Sequence, residues 1–175
     1  MHIRDGVEQD CSGIARVQVN SYRSAYAGIF PDGYINHFTY EEQEGNWQKW
    51  FRTKKDEFLL VAEDQERNII GYTLIKIDLD VYAGYEAEVV GLHVSKPVQQ
   101  QGTGKALLAH AVEELNKLGI SSVMLWTLRE NPVRGWYEQL GGKVLGEKRY
   151  DVDDREIVEI AYGWADIYQL AQSLG

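Results

Sequence analysis

The sequence predicts an α+β fold in three layers, a mixed and mostly antiparallel central sheet flanked by helices. Three observations carry this prediction. Two pairs of apolar, strand-like runs are separated by the short polar turns Asp64–Asn68 and Asp151–Arg155, and each pair reads as a hairpin. Leu107, Leu108, Ala111, Val112 and Leu115 repeat at helical spacing. Helix-patterned stretches also interrupt the strands along the whole chain.

The elements follow in order. His2 to Arg4 reads as a first strand, and Asp10 as the N-cap of a helix through Tyr22 that turns Ile14, Val17 and Tyr22 to the core. A loop rich in aromatics and turn residues, Ser24 to Tyr34, leads to a second helix, Tyr40 to Phe51, with Trp47, Trp50 and Phe51. Phe58–Ala62 and Ile69–Ile77 form the first hairpin, and Asp78 to Glu86 is an acidic, tyrosine-containing connection. A strand, Val89 to Val94, precedes the helix from Gly104 to Leu118, with Gly119 as its C-cap. Another strand, a helix from Val133 to Leu140, the hairpin Lys143–Tyr150 with Glu156–Trp164, and a short helix within Ala165–Leu174 complete the chain.

Composition bounds the function. At 175 residues and 44% apolar content the chain suits one domain with a sizeable core. No apolar run approaches a membrane span and no signal-peptide pattern opens the chain, so no membrane partner is expected. Cys11 is the only cysteine, which excludes an intrachain disulfide and a cysteine-built metal site. No metal is expected, and a reducing cytoplasm is the natural setting. A net charge of −9 repels nucleic-acid phosphate and favours a cationic partner such as an amine.

The most informative stretch runs from Val94 to Leu108, where a strand enters a polar loop with two glycines and then a helix. The first N–H groups of a helix have no partner within it, and the helix dipole adds positive charge, so such a junction holds anions, most often phosphate. Gly102 and Gly104 let a pyrophosphate approach the backbone. Lys96 and Lys105 add charge. A Walker A loop fails here, because Gln99 stands where its first glycine belongs and Ala106 where it needs Ser or Thr. A dinucleotide fingerprint fails at Leu107. An ATP or NAD protein is therefore disfavoured. What fits is Gln-x-x-Gly-x-Gly from Gln99 to Gly104.

That loop resembles the acyl-CoA loop of the GNAT superfamily of N-acetyltransferases. Three further segments are similar to the family. Ala87 to Val94 resembles its fourth strand, and Ser121 to Leu128 its fifth. Asn131-Pro-Val-Arg-Gly-Trp-Tyr-Glu-Gln-Leu-Gly141 resembles its Asn-x-x-Ala-x-x-Phe-Tyr-Glu-x-x-Gly segment. The match covers roughly residues 86 to 145, and the N-terminal half agrees in outline only. The resemblance implies a single N-acetyltransferase domain over 1–175, a sheet splayed between its fourth and fifth strands, and an acceptor region within about 10 to 52. It implies acetyl-CoA as cosubstrate, a small-molecule or peptide amine as acceptor, and direct transfer in a ternary complex. A non-enzymatic acyl-CoA sensor is the alternative. Homodimers are common in such folds, and an exposed last strand would allow one.

Three chemical needs select residues. An alkylammonium must lose a proton, the thioester oxygen needs a donor, and the leaving thiolate benefits from an acid. Strand alternation puts Glu88 on one face with Val90, Leu92 and Val94, where desolvation raises its pKa. In some members of the family that the chain resembles, a glutamate at the matching position, fourteen residues before the first loop glycine (here Gly102), acts as the base. Glu86 is a rival, and His93, expected opposite Glu88, a weaker one. The resemblance implies that the Leu92 N–H binds the thioester oxygen, that Val94 pairs with the pantetheine amides, and that Tyr137 is the acid. It extends the cofactor site over Leu92, His93, Val94, Gln99, Gln100, Gln101, Gly102, Thr103, Gly104, Lys105, Asn131 and Tyr137. Asn131 either bonds the pantetheine arm or forms an Asx-turn. Pro132, Gly135 and Gly142 depart from the family pattern. On the acceptor side, tyrosines of the 26–34 loop with Asp78, Asp80 and Glu86 are expected to hold a cationic amine.

Overall fold

The computed structural model describes residues 1–175. Its strands are β1 (His2–Asp5), β2 (Glu57–Glu63), β3 (Ile69–Tyr82), β4 (Tyr85–Val94), β5 (Val123–Leu128), β6 (Lys143–Val152) and β7 (Arg155–Trp164). Its helices are α1 (Cys11–Ala25), α2 (Asp32–Asn36), α3 (Tyr40–Thr53), α4 (Thr103–Lys117), α5 (Arg134–Gln139) and α6 (Ile167–Leu174). The seven strands form one sheet in the order β1-β2-β3-β4-β5-β7-β6. Only β4 and β5 are parallel, joined through α4 as a parallel pair requires. The predicted mixed sheet is observed, with one adjustment. The last strand, β7, lies inside the sheet, so the free edges belong to β1 and β6 rather than to the final strand.

Alternation along the strands divides the core in two. Leu60, Ile75, Val89, Leu125 and Tyr162 face α4, α5 and α6 in a cluster of 22 buried residues that includes Leu107, Leu108, Ala111 and Leu115. Leu59, Val61 and Tyr72 face the other way and pack on Ile14, Val17 and Trp47 of α1 and α3. The helix dictated by the Leu107-to-Leu115 spacing buries all of those side chains, each contributing roughly 1.5–3 kcal/mol for the larger ones. It ends as expected at Gly119, whose φ of 76° allows the chain to turn back. The Ile120 N–H donates to the Leu115 carbonyl and the Gly119 N–H to that of Asn116, which satisfies two orphan carbonyls.

Several expectations are corrected. Asp10 does not cap α1 with its side chain. It receives Arg4 through two hydrogen bonds of 2.7 and 2.9 Å and the Val7 N–H at 2.9 Å, tying β1 to the helix start. The Asp78–Glu86 stretch is not a free connection. β3 and β4 continue to Tyr82 and Tyr85 and close through Ala83 and Gly84, both with positive φ, the backbone that a two-residue hairpin turn requires. The loop after α1 contains the short helix α2, and Tyr22 lines a cleft instead of the core.

Candidate functional site

The site is built on an interruption of the sheet. β4 and β5 pair only at Glu88 with Met124 and Val89 with Leu125. Beyond Val89 the register of β4 against β3 shifts, because Ile75 pairs with Val89 while Leu74 pairs with Gly91. Val90 is thus the extra residue of a bulge, and a bulge bends its strand and increases its twist. The bend carries β4 away from β5 and leaves a gap between them.

The bulge also reverses side-chain parity. Lys76, Leu74 and Tyr72 of β3 share one face and pair with Glu88, Gly91 and His93. Ile75, Thr73 and Gly71 share the other and pair with Val89, Leu92 and Val94. The expectation from simple alternation, Glu88 with Leu92 and Val94 and opposite His93, is therefore wrong. Glu88 and His93 face α1, while Leu92 and Val94 pack against the α4-side core. Backbone direction follows from the Ser95 N–H, which donates to the Ile70 carbonyl at 2.8 Å. Counting back by alternate residues, the polar backbone groups of Leu92 and Val94 point to the gap, where no strand meets them. Consistently, the Gln99 side-chain amide donates to the Val94 carbonyl at 3.0 Å.

A cavity of about 210 Å³ runs through this gap. Glu88 lines it from the α1 face and Tyr137 from the α4 side, with Leu92, His93 and Asn131 also in its wall. Burial lifts the Glu88 carboxyl above its ordinary value, against Lys148 and Lys76, which pull it down, and with Glu159, which pushes it up. Glu86, the rival, is not in the cavity. Its carboxylate accepts from the Ser121 N–H at 2.7 Å and the Ser121 hydroxyl at 2.6 Å. Those bonds hold it below the ordinary range and spend it on joining β4 to the start of β5. His93 lies between the Tyr22 and Tyr72 rings at 5.5 and 5.1 Å, and burial drops its pKa to about 4, so it is neutral at pH 7.

Tyr137 is 6% exposed and packs among Trp136, Tyr162 and Trp164. Burial raises its phenol well above the ordinary value. Its hydroxyl makes no hydrogen bond to the protein, yet no buried side-chain oxygen is left without a partner, so that hydroxyl opens to the cavity. Asn131 forms the Asx-turn, its side-chain oxygen accepting from the Val133 N–H at 3.2 Å, while the residue still borders the cavity. One departure from the family pattern, Gly142, has a local reason. A Cβ on Gly142 would lie 2.8 Å from both the Tyr137 carbonyl oxygen and the Trp164 ring, so that ring already fills the place of a side chain. Gly135 faces open space.

At the loop, Gly102 adopts φ 88° and Gln100 φ 60°. The first α-helical hydrogen bond runs from the Ala106 N–H to the Gly102 carbonyl, so the N–H groups of Gly102, Thr103, Gly104 and Lys105 have no intrahelical partner. The Gln101 side chain donates to the Pro97 carbonyl at 3.0 Å. Thr103 is buried at 3% and Lys105 donates to the Gly175 carbonyl oxygen at 3.1 Å. Neither of those two side chains is therefore directed at the open loop.

Sequence reasoning expected Tyr26 beside the acceptor but missed the rest of the far wall of the cavity, formed by Tyr22, Trp126, Lys148 and Glu159. Lys148 pairs with Glu159 at 2.6 Å and lies 4.5 Å from the Trp126 ring centre. The expected acidic set differs too, since Asp78 pairs with Lys76 at 3.2 Å and neither Asp78 nor Asp80 lines the cavity. A signal existed for Glu159, which breaks the apolar run Ile157-Val158-Glu159-Ile160-Ala161 much as Glu88 breaks its own strand.

A sheet opened between a parallel pair, with a glycine-bearing helix start below it and an unpaired carboxylate beside it, is the architecture of an acyltransferase. The chain matches the Acetyltransferase (GNAT) family over residues 20–142 and belongs to that family. The N-acetyltransferase YuaI of Bacillus subtilis (strain 168), described as uncharacterised, is 30% identical over 168 residues, which span 96% of this chain and 95% of that one. Among solved structures, the PaiA N-acetyltransferase of Thermoplasma acidophilum in complex with coenzyme A superposes with a TM-score of 0.66 at 23% identity, covering 93% of this chain and 98% of the other. The acetyltransferase YncA of Salmonella typhimurium with acetyl-CoA gives 0.69 at 18% identity, covering 95% and 94%. At these identities the two structures show a shared fold.

Proposed function

We propose that this protein transfers an acetyl group from acetyl-CoA to a primary amine of a small molecule or peptide, by direct attack in a ternary complex. One observation carries the reading: a single cavity crosses the sheet at the β4–β5 gap, with an unpaired, desolvated carboxylate on one side and an unbonded phenol on the other. Acetyl-CoA would lie on the α4 side, its pyrophosphate on the N–H groups of Gly102 to Lys105 and its pantetheine arm along Leu92 and Val94 like an added strand.

The chemistry then balances. The acceptor arrives as an ammonium of pKa about 10.4 and gives one proton, through water, to Glu88. The free amine attacks the thioester carbon, a C–N bond forms, and charge moves to the carbonyl oxygen, which the Leu92 N–H receives. One such donor is worth on the order of 3 kcal/mol in the transition state. Collapse breaks the C–S bond. The thiolate takes a proton from Tyr137, and the second proton of the nitrogen restores the phenol. Glu88 releases its proton to solvent.

Thiol release from acetyl-CoA, measured against polyamines, aminoglycosides, amino acids and lysine or N-terminal peptides, tests the reading. Release stimulated by one class is the expected result and names the acceptor. Tight acetyl-CoA binding with no release for any of these amines would overturn it in favour of an acyl-CoA sensor.

A further inference from the structure

Glu88 is flanked by two lysines and pairs with neither. Lys76 is its register partner on β3 but reaches back to Asp78, at 3.2 Å. Lys148 of β6 lines the same cavity as Glu88 but is taken by Glu159 of β7, at 2.6 Å, and rests over the Trp126 ring. The other titratable groups facing this space are His93 on β4, Tyr22 on α1, Tyr26 just after it, and Tyr137 on α5. Burial keeps His93 neutral at pH 7 and raises all three phenols, so none of them supplies a charge to Glu88. The two lysines are the cations that act on it, and each is held by another carboxylate.

A carboxylate in direct contact with an ammonium is a poor base, because the ion pair favours its charged form and occupies its lone pairs. We propose that Glu159 is a positioning residue that holds Lys148 against Trp126 and so keeps the Glu88 carboxylate unpaired and free to accept the amine proton. Asp78 serves the same end toward Lys76, more weakly, since that pair is more exposed, with side chains 44% and 46% accessible against 47% and 20% for Lys148 and Glu159. The inference rests on the reading of Glu88 as the base.

The test is the pH dependence of kcat/KM with an accepted amine in four variants, each checked for thermal stability and acetyl-CoA affinity. In Glu159→Gln, Lys148 is released to Glu88, the acidic limb moves to lower pH, and turnover at pH 7 falls by about tenfold, a part of what a general base contributes. In Lys148→Met the limb moves the opposite way. In the double variant Glu159→Gln/Lys148→Met the limb and the rate return toward those of the parent, a rescue that a merely structural role for Glu159 would not show. An unmoved limb in both single variants, or a double variant no better than Glu159→Gln, overturns the inference. Glu88→Gln separates the two failures. If it keeps the acidic limb, the base reading fails. If it loses the limb while Glu159→Gln leaves the limb unmoved, only the positioning role fails.

Discussion

The two sides of the β4–β5 gap are built in different ways. On the α4 side the candidate cofactor wall comes from nearly contiguous chain, Val94 to Lys105, backed by the 22-residue cluster that also buries Tyr137. On the α1 side the wall is gathered from distant segments: Tyr22 and Tyr26 from α1 and the loop after it, Glu88 from β4, Trp126 from β5, Lys148 from β6 and Glu159 from β7. Its supporting clusters are smaller, 8 and 4 residues. Recognition of a constant ligand can be written into one loop and the start of one helix. Recognition of an acceptor here depends on tertiary packing, which one strand register or one ion pair can redirect.

The largest effect expected from breaking this contrast lies at Glu88, which belongs to the assembled side. Glu88→Gln should lower kcat at pH 7 by roughly 10²–10⁴-fold. It should also abolish an acidic limb that sits above the ordinary glutamate range, because burial raises the parent carboxyl and the active form is the deprotonated one. Acetyl-CoA affinity, measured by calorimetry, should be unchanged. Tyr137→Phe probes the other side and should slow the chemical step by about tenfold or more while leaving acetyl-CoA binding nearly intact. Full single-turnover rates in that variant would make Tyr137 a packing residue.

Smaller effects sharpen the contrast through stability. Gly142→Ala forces a Cβ to within 2.8 Å of the Tyr137 carbonyl and the Trp164 ring, and should cost about 1–3 kcal/mol in urea unfolding, with Tyr137 displaced. Gly135→Ala fills open space in α5 and should stabilise by up to about 1 kcal/mol with activity unchanged.

The same contrast explains what could be read from the sequence. The α4 helix, its Gly119 stop, both hairpins and the glycine-bearing loop carry short-range signals, and all are where they were expected. The parity of β4 was misread because a period of two assumes an unbroken ladder, and nothing in Val89-Val90-Gly91 announces that Val90 is skipped by its partner strand. The extension of the β3–β4 hairpin was missed because Asp78, Asp80 and Gly84 look like loop residues. Four consecutive residues of β3, Asp78 to Val81, lie opposite the single Glu86, a distortion that local propensity does not encode. The sequence ranks Glu88 above Glu86 only through its strand position and its spacing from the loop. The arrival of Ser121, 35 residues away, adds the physical distinction between the tethered carboxylate and the free one. Glu159 leaves a trace in the sequence by breaking its apolar run, but its pairing with Lys148 emerges only when β6 and β7 are laid side by side.

The seam between β4 and β5 has a mechanical meaning as well. Through the sheet itself, the strands β1 to β4 are joined to β5, β7 and β6 by two paired positions only, Glu88 with Met124 and Val89 with Leu125. A ladder cut so nearly through transmits little shear through its own hydrogen bonds, and the 22-residue core beneath it, which joins β2 to β4 with β5 and β7, carries the coupling instead. An elongated ligand that fills the missing rungs would be a splice across the cut, adding a second coupling to that core, so occupancy should raise the melting temperature.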